Sequence, residues 1–214
     1  MKSDLAQYIF FDLDGTLLDN SERLYACYCD ILKAQNSTNL GKEAYMAMKR
    51  DKSPISHILQ QSGSREEAHV FHDKWMTLIE TAPYLARDVL KPGALQGLQA
   101  ARSYGKKIIL ITKRHNRDAL FNQLKDLHIF DCFDEIITPT TKKSEALRAL
   151  NPVSAVVIGD TEEDADAAQA IGATFVGITT GLRTAELLPA KLSYEQVVDI
   201  NWPDVMKVMN DSVP

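Results

Sequence analysis

The 214 residues are 45% hydrophobic and 25% charged, with 24 Lys and Arg against 29 Asp and Glu, a net charge of −5. That balance suits an ordinary globular protein of one large domain, or a domain carrying an insert. It holds no long basic run of the kind a nucleic-acid partner requires, and no apolar run near the roughly 20 residues that span a bilayer.

The N-terminus, Met1-Lys2-Ser3-Asp4, has no apolar region of a signal peptide behind it. Cys27, Cys29 and Cys132 are odd in number, and Cys27-x-Cys29 lacks the spacing of a zinc or redox pair. They read as free thiols in a reducing compartment, so the expected location is cytoplasmic.

Tyr8-Ile9-Phe10-Phe11 is a short apolar run that ends in Asp12-Leu13-Asp14-Gly15. It reads as a buried strand opening into a loop, with Asp12 and Asp14 leaving it on the same side. Two carboxylates this close repel unless a cation or proton lies between them, and hard oxygen ligands favour Mg²⁺.

From residue 19 to about 87 no strand is expected. Leu24, Cys27, Tyr28, Ile31 and Leu32 fall at helical spacing behind Asn20 or Ser21 as cap. A second helix covers 39–50, and Pro54 opens a third that Gly63 ends. Ser64 and Glu67 read as a capping box ahead of Ala68, Phe71, Trp75, Leu78 and Ile79. His69 and His72 read as surface positions of that helix.

Beyond the insert, Pro92 opens a helix with Leu95, Leu98 and Ala101 inward and Gly105 just past its end. Strands follow at 107–112, 135–138, 153–159 and 174–179. Helices separate them at 116–127, from Thr141 or Ser144 to before Pro152, and at 161–170. The tail from Ser193 holds one or two short helices, the last opened by Pro203. Strands alternating with helices predict an α/β fold, a Rossmann-like parallel sheet whose ligand lies beyond the carboxyl ends of its strands. Residues 1–18 and 88–214 form the expected core domain and 19–87 a helical cap domain.

Those strand ends bring together Asp12, Asp14, Thr112, a lysine and the acids after Gly159. Phosphoryl transfer uses such parts: an aspartate that attacks phosphorus, cations that offset charge on the moving oxygens, and a second carboxylate that handles the proton.

Asp12-Leu13-Asp14-Gly15-Thr16-Leu17 resembles the first motif of the haloacid dehalogenase-like (HAD) phosphatases. Ile108 to Thr112 resembles the second motif. Lys142 or Lys143 resembles the third; Lys143 is preferred because Ala146 and Leu147 follow it at helical spacing. Gly159-Asp160-Thr161-Glu162-Glu163-Asp164 resembles the fourth. The resemblance covers residue 8 to about 182, and the insert is similar to the helical cap of phosphoglycolate phosphatase-like members.

The resemblance implies a Mg²⁺-dependent phosphatase acting on a small phosphorylated metabolite, phosphoglycolate-like or a sugar phosphate, through an aspartyl phosphate. Asp12 is then the nucleophile, and Asp14 the general acid/base and a metal ligand through its backbone carbonyl. Thr112 and Lys143 bind the phosphoryl group. Asp160 and Asp164 complete the metal site, the latter through water or by orienting the shell. Arg50, in the basic cluster of Lys49, Arg50 and Lys52, is a substrate-binding candidate in the cap. Many relatives have a small polar residue after the second-motif Thr, where this chain has Lys113-Arg114-His115. These cations suit an extra negative group on the substrate, and Lys113 is taken as a substrate contact.

Asp14 argues against a dehalogenase. The alternatives are a phosphomutase similar to β-phosphoglucomutase and, from another class, a phosphorylation-switched signalling module. The expected assembly is a monomer or homodimer without nucleic-acid or membrane partners.

Overall fold

The structure is a computed structural model that describes residues 6–34 and 37–211. Met1 to Asp4 lie outside the described residues. The chain divides into two compact units: Met1–Asp19 with Leu90–Pro214, and Asn20–Val89. The two-residue strands β2 (Leu18–Asp19) and β3 (Val89–Leu90) mark the two crossings.

The first unit is built on a six-stranded sheet. β1 (Ala6–Phe11) is central, flanked by β4 (Gly105–Ile111) and β6 (Ala155–Gly159). β5 (Glu135–Ile137) lies outside β4, and β7 (Thr174–Ile178) and β8 (Leu192–Tyr194) continue beyond β6. Every pairing is parallel, with Phe11 opposite Leu110 on one side and Ile158 on the other. A strand buried on both faces needs apolar side chains at successive positions, and β1 has them. Ile9 and Phe11 enter one core with Leu98, Leu120, Leu124 and Val205, and Phe10 enters the other with Leu147, Ala167 and Ala168. Helices therefore cover both faces, as the alternating pattern predicts.

The second unit carries α1 (Ser21–Lys33), α2 (Lys42–Arg50), α3 (Ile55–Gln61), α4 (Ala68–Leu78) and the single turn α5 (Ala82–Leu85). It has a core of its own around Tyr28, Ile31, Leu32, Tyr45, Leu59 and Phe71. The Tyr28 and Tyr45 rings stack with centroids 4.3 Å apart. The Tyr28 hydroxyl meets the Ser62 hydroxyl at 2.6 Å and accepts the Leu40 amide at 2.9 Å, so the polar tip of this buried ring is satisfied. Inside the same unit Arg23 donates to Asp88 at 2.9 Å, both side chains being buried. That pair ties Asp88 into the second unit, whose last residue is Val89.

The first unit continues through α6 (Ala94–Ala101), α7 (Arg117–Asp126), α8 (Lys143–Leu150), α9 (Glu162–Ala170) and α10 (Trp202–Asp211). Three local expectations are corrected. Gly105 opens β4, paired with Ala6, instead of ending a helix, and it is glycine because a Cβ there would stand 2.7 Å from Ile9 Cδ1. Glu67 is itself the cap position of α4, so Ser64, which accepts the Glu66 amide at 3.2 Å, lies three residues ahead of the cap and not at it. At α8 the cap position is Lys142, neither Thr141 nor Ser144. The sixth strand, β8, has only Leu192-Ser193-Tyr194 to announce it and lies where a helical tail is expected.

Among the described residues no helix is long and apolar enough to cross a membrane, and Cys27, Cys29 and Cys132 are free.

Candidate active site

Parallel strands deliver their C-terminal ends to one edge of the sheet. Asp12 follows β1, Thr112 follows β4 and Asp160 follows β6, and all three are buried. Asp164 joins them from the first turn of α9, where the helix dipole favours an acid. Asp12, Asp160 and Asp164 each bring a carboxylate oxygen within 4.8 Å of the others.

Lys143, the first residue of α8, is 4% exposed and donates to both Asp12 Oδ1 and Asp164 Oδ1, the latter at 2.7 Å. Lys142 is exposed. Of the two lysines open in the sequence, Lys143 is thus the one at the acids. Burial works against its ammonium, but Asp12 and Asp164 outweigh that and hold its pKa above the ordinary lysine value.

The carboxylates are under opposite pressure. Burial raises the Asp12 pKa well above the usual range, Lys143 opposes this, and Asp164 and Asp160 add to it. Burial and the Asp164 charge push Asp160 up to about 6. Buried carboxylates in such excess over ammonium groups fit a divalent cation, whose charge would stabilise their ionised forms. Mg²⁺ suits all-oxygen donors of this kind.

Each acid is held by other residues. Thr16 donates to Asp160 Oδ1 at 3.1 Å and the Leu182 amide to Oδ2 at 2.6 Å. Thr161 gives its hydroxyl, at 2.7 Å, and its amide, at 3.2 Å, to Asp164 Oδ2. Gly15, at φ +86°, lets the backbone pass against the Asp160 carboxylate.

Asp14 stands apart. The chain has left β1 and turned at Gly15, so its carboxylate does not join the three acids. It is forked by Arg114, with Nε to Oδ2 at 2.5 Å and Nη2 to Oδ1 at 2.8 Å. Arg114 is 5% exposed. Lys113 is instead turned to the Thr141 carbonyl at 2.6 Å and to Glu163 at 3.8 Å, and His115 is exposed. Arg50 ends α2 in the second unit. Thr16, Leu182 and Arg114 are supporting groups that sequence reasoning did not assign. Only Arg114 gave a signal, as the middle of a basic run, and its partner is 100 residues earlier.

The profile of the haloacid dehalogenase-like hydrolases matches residues 6–172. A phosphoglycolate phosphatase from Rhodobacter capsulatus is 29% identical over 86% of this chain and 89% of its own. One from Colwellia psychrerythraea is 28% identical over 87% and 90%. The solved structure of a haloacid dehalogenase-like family hydrolase from Streptococcus pneumoniae superposes with a TM-score of 0.74 at 20% identity, over 92% of this chain and 96% of that one.

Proposed function

The chain belongs to the haloacid dehalogenase-like hydrolase family, and on that premise we propose that it is a Mg²⁺-dependent phosphatase of a small phosphorylated metabolite of the phosphoglycolate type. The observation that carries this reading is Asp12 at the end of the central strand, hydrogen-bonded to buried Lys143 and grouped with Asp160 and Asp164.

Lys143 fixes one oxygen of Asp12, and the other attacks phosphorus. The bond from phosphorus to the ester oxygen breaks, and Asp14 gives that oxygen its proton, releasing an alcohol and leaving an acyl phosphate on Asp12. Water then attacks phosphorus, Asp14 takes its proton, and phosphate departs to restore the Asp12 carboxylate. Thr112, at the end of β4, donates its hydroxyl to the phosphoryl oxygens, and the Lys143 ammonium offsets their charge. Asp12, Asp160 and the Asp14 carbonyl, with Asp164 behind them, would hold Mg²⁺, which would supply further positive charge beside the phosphoryl oxygens. Arg50 and Lys113 are proposed as outer contacts to the substrate.

The test is phosphate release from phosphoglycolate, sugar phosphates, nucleotides and pyrophosphate, with and without Mg²⁺, by wild type and Asp12→Asn. Mg²⁺-dependent release abolished in Asp12→Asn is the expected result. Equal release by the variant overturns the mechanism. Product analysis with a hexose 1-phosphate separates hydrolysis from phosphomutase activity.

A further inference from the structure

We infer that Arg114 is the receptor for a carboxylate on the leaving group, exchanging Asp14 for the substrate's own anion, so that the preferred substrates are phosphomonoesters of small α-hydroxy acids. This deepens the proposed phosphatase reading and rests on it.

Where Asp14 must act decides what lies beside it. A general acid has to present an oxygen to the ester oxygen that departs from phosphorus. Whatever is bonded to that oxygen is then a neighbour of Asp14, and so of the group Asp14 touches. That group is the Arg114 guanidinium, which binds both Asp14 oxygens through Nε and Nη2. While both oxygens are engaged in the fork, neither is turned to a leaving group. Productive chemistry requires Arg114 to yield at least one of them.

A planar guanidinium fork matches a carboxylate. Arg114 already holds one, and a carboxylate attached through a single carbon to the ester oxygen is the same chemistry in nearly the same place. Its side chain is 4% exposed, so most of its desolvation cost has been met within the fold. Asp14 is 25% exposed and has water as an alternative, so it is the partner more easily displaced. Lys113 is the weaker candidate: it is 38% exposed and bonded to the Thr141 carbonyl. A substrate without an anion on its leaving group leaves the Arg114–Asp14 fork closed and is turned over slowly.

The test compares phosphoglycolate with ethyl phosphate, which has the same carbon count and no carboxylate. Wild type is expected to favour phosphoglycolate by about 100-fold in kcat/KM, the scale on which one charge-assisted bidentate contact discriminates. Arg114→Gln is expected to collapse that ratio to within about 3-fold, and Arg114→Lys to restore part of it, mainly through KM, because a point charge lacks the fork. Equal losses on both substrates in Arg114→Gln overturn the assignment, leaving Arg114 a support for Asp14 alone.

A measurement on wild type needs no variant to fold. Glycolate is expected to inhibit ethyl phosphate hydrolysis competitively, and ethylene glycol is not; equal inhibition overturns the assignment. Wild type that hydrolyses both esters without preference overturns the role of Arg114 and leaves the phosphatase reading standing. Wild type that hydrolyses neither overturns both.

Discussion

Gly15 and Asp160 share a space that admits only one side chain: a Cβ on Gly15 would stand 2.6 Å from the Asp160 Cγ. Gly181 is pressed against the same carboxylate. Asp160 is thus boxed by backbone and has one place to be. Gly15→Ala adds a left-handed backbone penalty at φ +86° to the clash. It is expected to cost about 2 kcal/mol of stability and at least about 100-fold in Mg²⁺-dependent turnover, on the scale of a displaced catalytic geometry. Gly41→Ala is the control, since nothing stands within 4 Å of its added methyl. Melting curves and phosphate release on both variants check this.

Mg²⁺ should raise the melting temperature of wild type, by about 2.7 kcal/mol of stability at a concentration about 100 times its dissociation constant. Asp160→Asn should lose most of that gain. Protons compete for the same oxygens, so the gain shrinks as pH falls through about 6, the value to which burial and Asp164 push Asp160. Without Mg²⁺ the sign reverses. A pKa raised in the folded state gives stability that is present below about 4 and lost as pH rises toward 6, a loss of up to about 3 kcal/mol. Thermal unfolding against pH, with and without the ion, checks both limbs.

Asp134 has the opposite sign. Burial pushes its carboxyl up, but the Ile108 amide at 2.7 Å and Arg102 outweigh burial and leave it below the usual carboxylate range. Its contribution is present above about pH 4 and disappears as pH falls through the lowered value. Asp134→Asn is expected to flatten the acid side of the stability curve below about pH 4. An unchanged acid limb counts against the pair.

The buried Arg23–Asp88 pair predicts an asymmetry. Asp88→Ala removes a buried carboxylate from a buried guanidinium and is expected to destabilise by about 3–5 kcal/mol. Replacing both residues, Arg23→Met with Asp88→Leu, is expected to recover most of the loss. Urea denaturation of the single and double variants reads the difference.

What the sequence displayed was whatever repeats locally or sits at a strand end. Tyr8 to Phe11 is apolar at every position because β1 is covered on both faces, and its abrupt end marks Asp12. Ala155 to Gly159 carries the same signal, an apolar strand that stops at a charge, here Asp160. Contacts decided by distant packing were not legible. Gly105 looked like a helix stop and is a strand start paired with Ala6. Leu192-Ser193-Tyr194 is too short for a period and becomes a strand because Val176 to Ile178 offer it an edge. Asp14 and Arg114 meet only because β1 and β4 are neighbours, a fact held in neither segment alone.

The position of β1 also has a cost during synthesis. It is made early, yet one of its two edges is covered only by β6, with Phe11 waiting for Ile158. At roughly 5–20 residues per second, a ribosome takes about 7–30 s to cover that interval. For that time the central apolar strand of the sheet is a nascent segment with an open edge, which makes it the natural client of a chaperone and the place where a slowed ribosome would do most harm.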